Sequence, residues 1–447
     1  MIKTSFKMNR RFVSFFLPAT ISVLLFGSCK KDDHFPNSNH PSLYSSEVLD
    51  KWMTLQIRLM KNATGVPNQG FGRHFAYSGV AALESLAPGL PANYWDNKWN
   101  GLTGLPANNH SVKYYFPANV NSAMAAINKA FFPNASAADK LAIDSLEAAL
   151  NESFLSTQTP GLINTSSEFG KAVAAAVYNW SESDGYKNAS NPYTPPVGPG
   201  LWKPTPPAFA AAASPYWGNN RTVIIGSNNN TQPPAPVSYS TDPGSAFYAM
   251  AKQVYDASLI LTDDQKNMAM FWRDVPGVTT PGHWLSILQQ VIHKTHARLD
   301  KAALAYALTG SAINDGAISV WKAKYQYNLV RPITYIREIM GYSTWNSFIG
   351  TPAHPEYSSA HSVLSGAAAA TLEKLFGNIG SFTDHTYDYL GYPSRTYNSF
   401  TAIAEEAGQS RLYGGIHYLP SLHAGLVQGR KVAANIFSKH ANNIKDK

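Results

Sequence analysis

The 447-residue sequence predicts an all-α fold, and three observations carry that expectation. Apolar residues recur at helical spacing through most of the chain, alternating strand patterns are few, and helix-start signals stand where the stripes begin. Leu49, Trp52, Met53, Ile57 and Met60 form the first stripe. Ser136 stands as an N-cap before a helix over 137–150. Phe169, Val173, Val177 and Trp180 mark another helix. Thr262-Asp263-Asp264-Gln265 is a capping box that opens a helix running to Trp272. Further helices are expected over 284–308, 312–328, 361–376 and 422–439. Residues 186–245 are the exception, being rich in Pro, Gly and Asn and without a period. A connection that long is expected to pack on the body through Trp202, Phe209, Tyr216 and Trp217, as a surface loop or as the wall of a site entrance. No repeat recurs at a fixed period.

The N-terminus reads as an export signal. Lys3, Lys7, Arg10 and Arg11 precede a mostly apolar run from Phe12 to Phe26, followed by Gly27-Ser28-Cys29. The small residues before the one cysteine resemble a bacterial lipoprotein signal, in which that cysteine is lipidated. Lys30-Lys31-Asp32-Asp33 resembles the surface-export tag of Bacteroidetes lipoproteins. The expected organisation is a signal peptide over 1–28, a tether over 29–42 and a single all-α domain over 43–447. The expected location is the periplasm or the outer-membrane surface, with the membrane reached only through a lipid on Cys29. Removing the leader takes four charges from a net +8. The remainder is too mild to argue for a nucleic-acid partner, and no basic block with interleaved aromatics is present. With one cysteine the chain has no internal disulfide.

Three stretches within about 245–440 carry chemistry. Lys324 and Arg331 are separated by about two helical turns, so both are expected on one helix face, with Pro332 stopping the helix. Two cations on one face attract an anion, and arginine can hold two oxygens. In Pro355-Glu356-Tyr357-Ser358-Ser359-Ala360-His361, Ser359 stands at a helix start. Free first-turn N–H groups there bind anions, and His361 suits acid–base work. In Ser410-Arg411-x5-His417, Arg411 adds a third cation and Gly414-Gly415 a sharp bend. His417 then offers a ring nitrogen to a central atom. Each stretch alone also fits a bland reading: a solvated basic face, a capped helix or a helix end with a buried histidine. Their order within about a hundred residues is what points to one oxyanion site.

The set resembles the signature of the type-2 phosphatidic acid phosphatase and vanadium haloperoxidase superfamily, Lys-x6-Arg-Pro, Pro-Ser-Gly-His and Ser-Arg-x5-His-x3-Asp. Gly200-Leu201-Trp202-Lys203-Pro204-Thr205-Pro206-Pro207-Ala208-Phe209, Phe271-Trp272, Pro281-Gly282-His283-Trp284 and Tyr413-Gly414-Gly415-Ile416-His417 resemble its soluble bacterial haloperoxidase branch. The resemblance implies helical bundles and an oxyanion, vanadate or phosphate, held by Lys324, Arg331, Ser359, the Ala360 amide and Arg411. It makes His361 the acid–base, and His417 either the vanadate ligand or, in a phosphatase, the nucleophile. Implied partners are hydrogen peroxide, a halide and a small organic acceptor. His354 resembles the bromoperoxidase residue at that place and implies bromide or iodide. The alternatives are a periplasmic acid phosphatase with a phosphohistidine intermediate, and a surface lipoprotein that has lost turnover. Three residues depart from the pattern: Ser358 for proline, Ala360 for glycine, and Ser421 for the aspartate that orients the second histidine. Either the site is weakened, or a carboxylate from elsewhere takes over from that aspartate.

Overall fold

Thirteen α-helices and one short antiparallel hairpin make up the main regular structure among the described residues. The structure is a computed structural model describing residues 40–438 apart from 92, 93, 95–98, 110, 276 and 277. The expected signal peptide, Cys29 and most of the expected tether lie outside the described residues. Pro41, at the tether's end, is already buried.

The first group is α1 (Glu47–Asn62), α2 (Asn68–Glu84), α3 (Phe116–Phe131), α4 (Ala137–Leu155) and α5 (Pro160–Ser181). After a long irregular segment come α6 (Ala246–Leu259), α7 (Asp263–Phe271), α8 (Thr280–Thr295), α9 (Leu299–Tyr327) and α10 (Pro332–Glu338). The last are α11 (Ala360–Phe376), α12 (Phe400–Tyr413) and α13 (Leu419–Ser438), with β1 (Phe382–Asp384) and β2 (Arg395–Tyr397) before α12. No helix among the described residues is long and apolar enough to cross a membrane.

Helix α9 is the spine, packing on α2 along one side and on α11 and α13 along another. The α2–α9 seam is tight because Gly79 and Gly310 face opposite backbones. A Cβ on Gly79 would sit 2.6 Å from the Ala307 Cα, and one on Gly310 would sit 2.8 Å from the Ala76 Cα. That seam corrects the expected break near 309–311: α9 runs straight through it, because Gly310 serves close approach there. The break falls earlier, at His296, whose left-handed backbone (φ 50°) ends α8. A second correction concerns Pro332. Helix α9 stops at Asn328, also left-handed (φ 45°), and Pro332 opens α10 with Arg331 as its N-cap. Proline fits a first helical turn because the N–H it lacks would have had no partner.

The Thr262 capping box and the Ser136 cap both form. Helix α2 escaped the sequence reading because every residue from Gln69 to Leu83 is buried, leaving no polar face to reveal a period. In the segment 186–245, Trp202 and Trp217 are buried, whereas Phe209 is 63% exposed. The Asp315 carboxylate of α9 fastens the segment, accepting hydrogen bonds from the Val223 and Ile224 amides and the Ser227 hydroxyl.

A buried histidine far from the anion motifs should set part of the acid stability. His74 stacks on Phe131, and burial together with the neighbouring Arg73 lowers its pKa to about 3. Unfolded, it would titrate near 6.5. Between those values the unfolded chain holds more protons, so stability falls as pH drops through that window. The contribution reaches about 4–5 kcal/mol at its acid end, as an upper bound. His74→Leu should therefore move the midpoint of acid unfolding to lower pH. An unchanged midpoint would mean that His74 does not govern the transition.

Candidate oxyanion site

The three motif stretches converge on one cavity of about 620 Å³. His354, Ala360, His361, Arg411 and His417 line it, with Trp321, Phe348, Ile349 and Ile416 among its apolar walls. Lys324, Arg331 and Ser359 are fully buried and stand one layer deeper. Each is placed by a helix end: Lys324 by the last turn of α9, Arg331 by the N-cap of α10, and Ser359 by the N-cap of α11, with its hydroxyl accepting from the Ser362 amide. Arg411 lies in the last turn of α12, and a turn through Gly415 (φ 75°) delivers His417 just ahead of α13.

Arg331 organises the floor. Its Nε donates to the His354 carbonyl at 2.9 Å and its Nη1 to the Ile416 carbonyl at 2.8 Å. It also reaches both imidazoles, with Nη1 3.2 Å from His417 Nε2 and Nη2 3.0 Å from His354 Nδ1. Guanidinium only donates, so His417 Nε2 accepts and its proton sits on Nδ1, whereas His354 Nδ1 meets both that donor and, at 3.2 Å, the Pro355 carbonyl, an acceptor. His417 Nδ1 lies 2.8 Å from Glu356 Oε1, which also accepts from the Tyr418 amide at 3.0 Å. His361 Nε2 donates to the Trp272 carbonyl at 2.9 Å, leaving Nδ1 as its acceptor nitrogen. Trp272 is itself braced: its ring stacks on His283, which lies 2.6 Å from Asp384. Lys324 Nζ donates to the Pro355 and Glu356 carbonyls, both at 2.9 Å.

The electrostatics favour an anion. Burial first, and Arg331 second, push Lys324 well below its ordinary range. Burial lowers Arg331 and Arg411 to about 10, so both stay charged at neutral pH. Burial and the adjacent cations hold His354 and His417 well below 6.5, and burial with Arg411 brings His361 to about 4. All three imidazoles are therefore neutral at neutral pH. Burial pushes Glu356 up, while Lys324, Arg331 and the Tyr418 amide favour its ionised form. An unprotonated His417 Nε2 among buried cations and first-turn amides is the donor set that vanadate or phosphate requires.

The three departures resolve differently. Ala360 opens α11 and is absent from the positive-φ residues, so its place in this chain needs no glycine backbone. Ser358 is structurally engaged. Its hydroxyl donates to Gln428 at 2.6 Å, Gln428 donates to Ser319 at 2.8 Å, and Ser319 lies 2.7 Å from Thr231. That buried chain ties the anion-binding loop to α13, α9 and the irregular segment. Ser421 does not cap α13 but lies within its first turn. Its hydroxyl and Glu356 Oε2 are buried without a full hydrogen bond, though the hydroxyl is near enough to favour the charged carboxylate. Sequence reasoning gave Glu356 no role. Its one signal was an acid inside the anion-binding stretch of a chain lacking the usual aspartate. Ser421→Asp should accordingly gain no activity. It places a second carboxylate against Glu356 and should lower stability by about 3 kcal/mol in urea unfolding. An increase in activity would show that Glu356 does not serve this histidine.

Residues 304–446 match the family model for the VCPO second helical-bundle domain. No curated protein matches the sequence. The solved structure of a bacterial vanadium-dependent iodoperoxidase shares 31% identity over 89% of this chain and 96% of its own, with a TM-score of 0.78. A bacterial vanadium-dependent chloroperoxidase shares the fold. Its apo form gives 16% identity over 84% of this chain and 94% of its own, at a TM-score of 0.65. Its holo form gives 17% identity over 83% and 92%, at 0.62. Near-complete coverage of a relative at that identity, on top of the converging motifs, places this chain in the vanadium haloperoxidase and type-2 phosphatidic acid phosphatase superfamily.

Proposed function

We propose that the protein is a vanadate-dependent haloperoxidase that oxidises bromide or iodide with hydrogen peroxide. The observation that carries this reading is His417, with Nδ1 engaged by a carboxylate and Nε2 unprotonated beside Arg331. His417 would ligate vanadium, while Lys324, Arg331, Arg411, Ser359 and the Ala360 amide would hold the oxyanion. Bound vanadate supplies a Lewis-acidic centre that activates hydrogen peroxide for two-electron oxidation of halide without changing its own oxidation state. His361, neutral above about pH 4, is suited to accept a proton from peroxide. His354 lines the cavity beside Trp321, with ring centroids 5.2 Å apart, and is the residue suited to hold a halide. The apolar walls suit a small organic acceptor.

A phosphatase would use the same anion donors, with His361 protonating the leaving oxygen. What favours the peroxidase is the match to a vanadium-dependent iodoperoxidase at 31% identity over 89% of this chain. The test strips the protein of bound anions, adds back orthovanadate, and assays bromide and iodide oxidation beside phosphate ester hydrolysis. Vanadate-dependent halide oxidation is expected. Ester hydrolysis that vanadate inhibits would assign the chain to the phosphatases, and silence in both assays would leave a binding protein without turnover.

The leader motif further leads us to propose export with lipid attachment at Cys29. In whole cells, Cys29→Ser should move the protein from the membrane fraction to the soluble one. Unchanged membrane association would remove the anchor from the proposal.

A further inference from the structure

We infer that Glu356 is the positioning residue for His417, doing from the anion-binding loop what the aspartate four residues after that histidine does in the family pattern. The inference rests on the proposed oxyanion site. Glu356 joins all three motif stretches. Its carbonyl accepts from Lys324, its amide donates to the Leu329 carbonyl, and its carboxylate accepts from the His417 ring and the Tyr418 amide. Both Glu356 and His417 are buried, so water does not compete for the bond. Position 421, where the family's aspartate stands, holds a serine whose hydroxyl reaches no full partner. The carboxylate has therefore changed its address, from the start of α13 to the loop before α11, while the imidazole is served in the same way.

The chemistry follows from the geometry. Glu356 Oε1 takes the proton-bearing Nδ1, so the unprotonated Nε2, which Arg331 Nη1 meets at 3.2 Å, is the nitrogen an electrophilic centre would take in place of that hydrogen bond. A carboxylate behind the ring also makes that nitrogen a stronger donor than a neutral acceptor would. Removing it leaves Arg331 holding Nε2, so the proton stays on Nδ1 but loses its acceptor, and the ring loses the partner that fixes its plane.

The test is made on the full chain with two readouts. The first is the His417 tautomer and its N–H shift in protein without vanadate, read by NMR of ¹⁵N-labelled histidine and assigned with His417→Ala. Wild type should show Nδ1 protonated with its N–H shifted downfield by the bond to a carboxylate, Glu356→Gln should reduce that shift, and Glu356→Ala should abolish it while Arg331 keeps the proton on Nδ1. The second is the affinity for orthovanadate by calorimetry. It should fall about 10-fold in Glu356→Gln and toward about 100-fold in Glu356→Ala, the range for losing a partner behind a metal ligand. Glu356→Gln is expected to fold, because its oxygen replaces Oε1 and its amide can donate to the Ser421 hydroxyl. It therefore carries the test if the alanine variant unfolds. Adding Ser421→Asp to Glu356→Ala should recover much of the affinity, which a merely structural loss would not allow. Wild-type His417 protonated on Nε2, or wild-type vanadate affinity in Glu356→Gln and Glu356→Ala alike, would overturn the assignment. A wild type that binds no vanadate yet shows an Nδ1–H shift that depends on Glu356 would sink the peroxidase reading and leave the positioning role standing.

Discussion

His417→Ala is expected to abolish vanadate-dependent halide oxidation, lowering it by at least about 10³-fold, or about 4 kcal/mol of barrier. The variant removes the one uncharged ring nitrogen that Arg331 holds by a hydrogen bond while a carboxylate engages the far side of the ring. It should still fold. Glu356 Oε1 keeps the Tyr418 amide and Arg331 Nη1 keeps the Ile416 carbonyl, so neither charged neighbour is stranded. The check is bromide and iodide turnover with and without orthovanadate, beside the urea midpoint. Residual activity that still rises with vanadate would remove His417 from the ligand position. Unfolding of the variant would mean the ring's packing matters more than its hydrogen bonds indicate.

Arg331→Met should be nearly as severe, and for two separable reasons. The guanidinium is the only described group that contacts both His354 and His417 by hydrogen bonds; its one uncommitted N–H, and the Nη1–H released when His417 Nε2 takes a ligand, give an oxyanion two charge-assisted bonds of about 1.5–3 kcal/mol each. Vanadate or phosphate affinity should drop by about 10²–10⁴-fold. The same change strands the buried His354 carbonyl and leaves His354 Nδ1 with the Pro355 carbonyl alone. It also removes the second cause of the depressed Lys324, whose pKa should move back toward the ordinary lysine range. Arg331→Lys keeps the charge but not the planar fork, so it should recover little of the affinity. Calorimetry with both anions decides the matter. Near wild-type affinity in Arg331→Lys would show that charge alone suffices.

Much of this site was legible because its chemistry needs fixed residue types at helix ends, and helix ends leave marks. Ser359 before an alanine-rich run, Gly414-Gly415 before His417 and the cap at Thr262 are local signals, and each reappears in the structure where the spacing placed it. What stayed hidden was non-local. Pro332 carries the same proline whether it stops one helix or starts the next, and only the left-handed Asn328 settles which. Glu356 looked like filler because its partner lies 61 positions away. The role of Ser358 was out of reach because Gln428, which receives its hydroxyl, sits on another helix. Helix α2 has no polar face, and periodicity cannot show a helix that is buried all round.

The glycine seam between α2 and α9 gives the anion site a long lever. Lys324 lies fourteen residues beyond Gly310 on one uninterrupted helix, about 21 Å along its axis. At the seam there is no room for even one methyl group. A tilt of about 3° at that fulcrum would carry the ammonium by about 1 Å, a displacement that can cost about 10²-fold when donors must meet a developing charge. The places where random mutagenesis would most readily retune oxyanion handling therefore include glycines that touch no ligand and lie in a different part of the bundle. Selection for altered halide chemistry would be expected to collect substitutions along that seam as well as around the cavity.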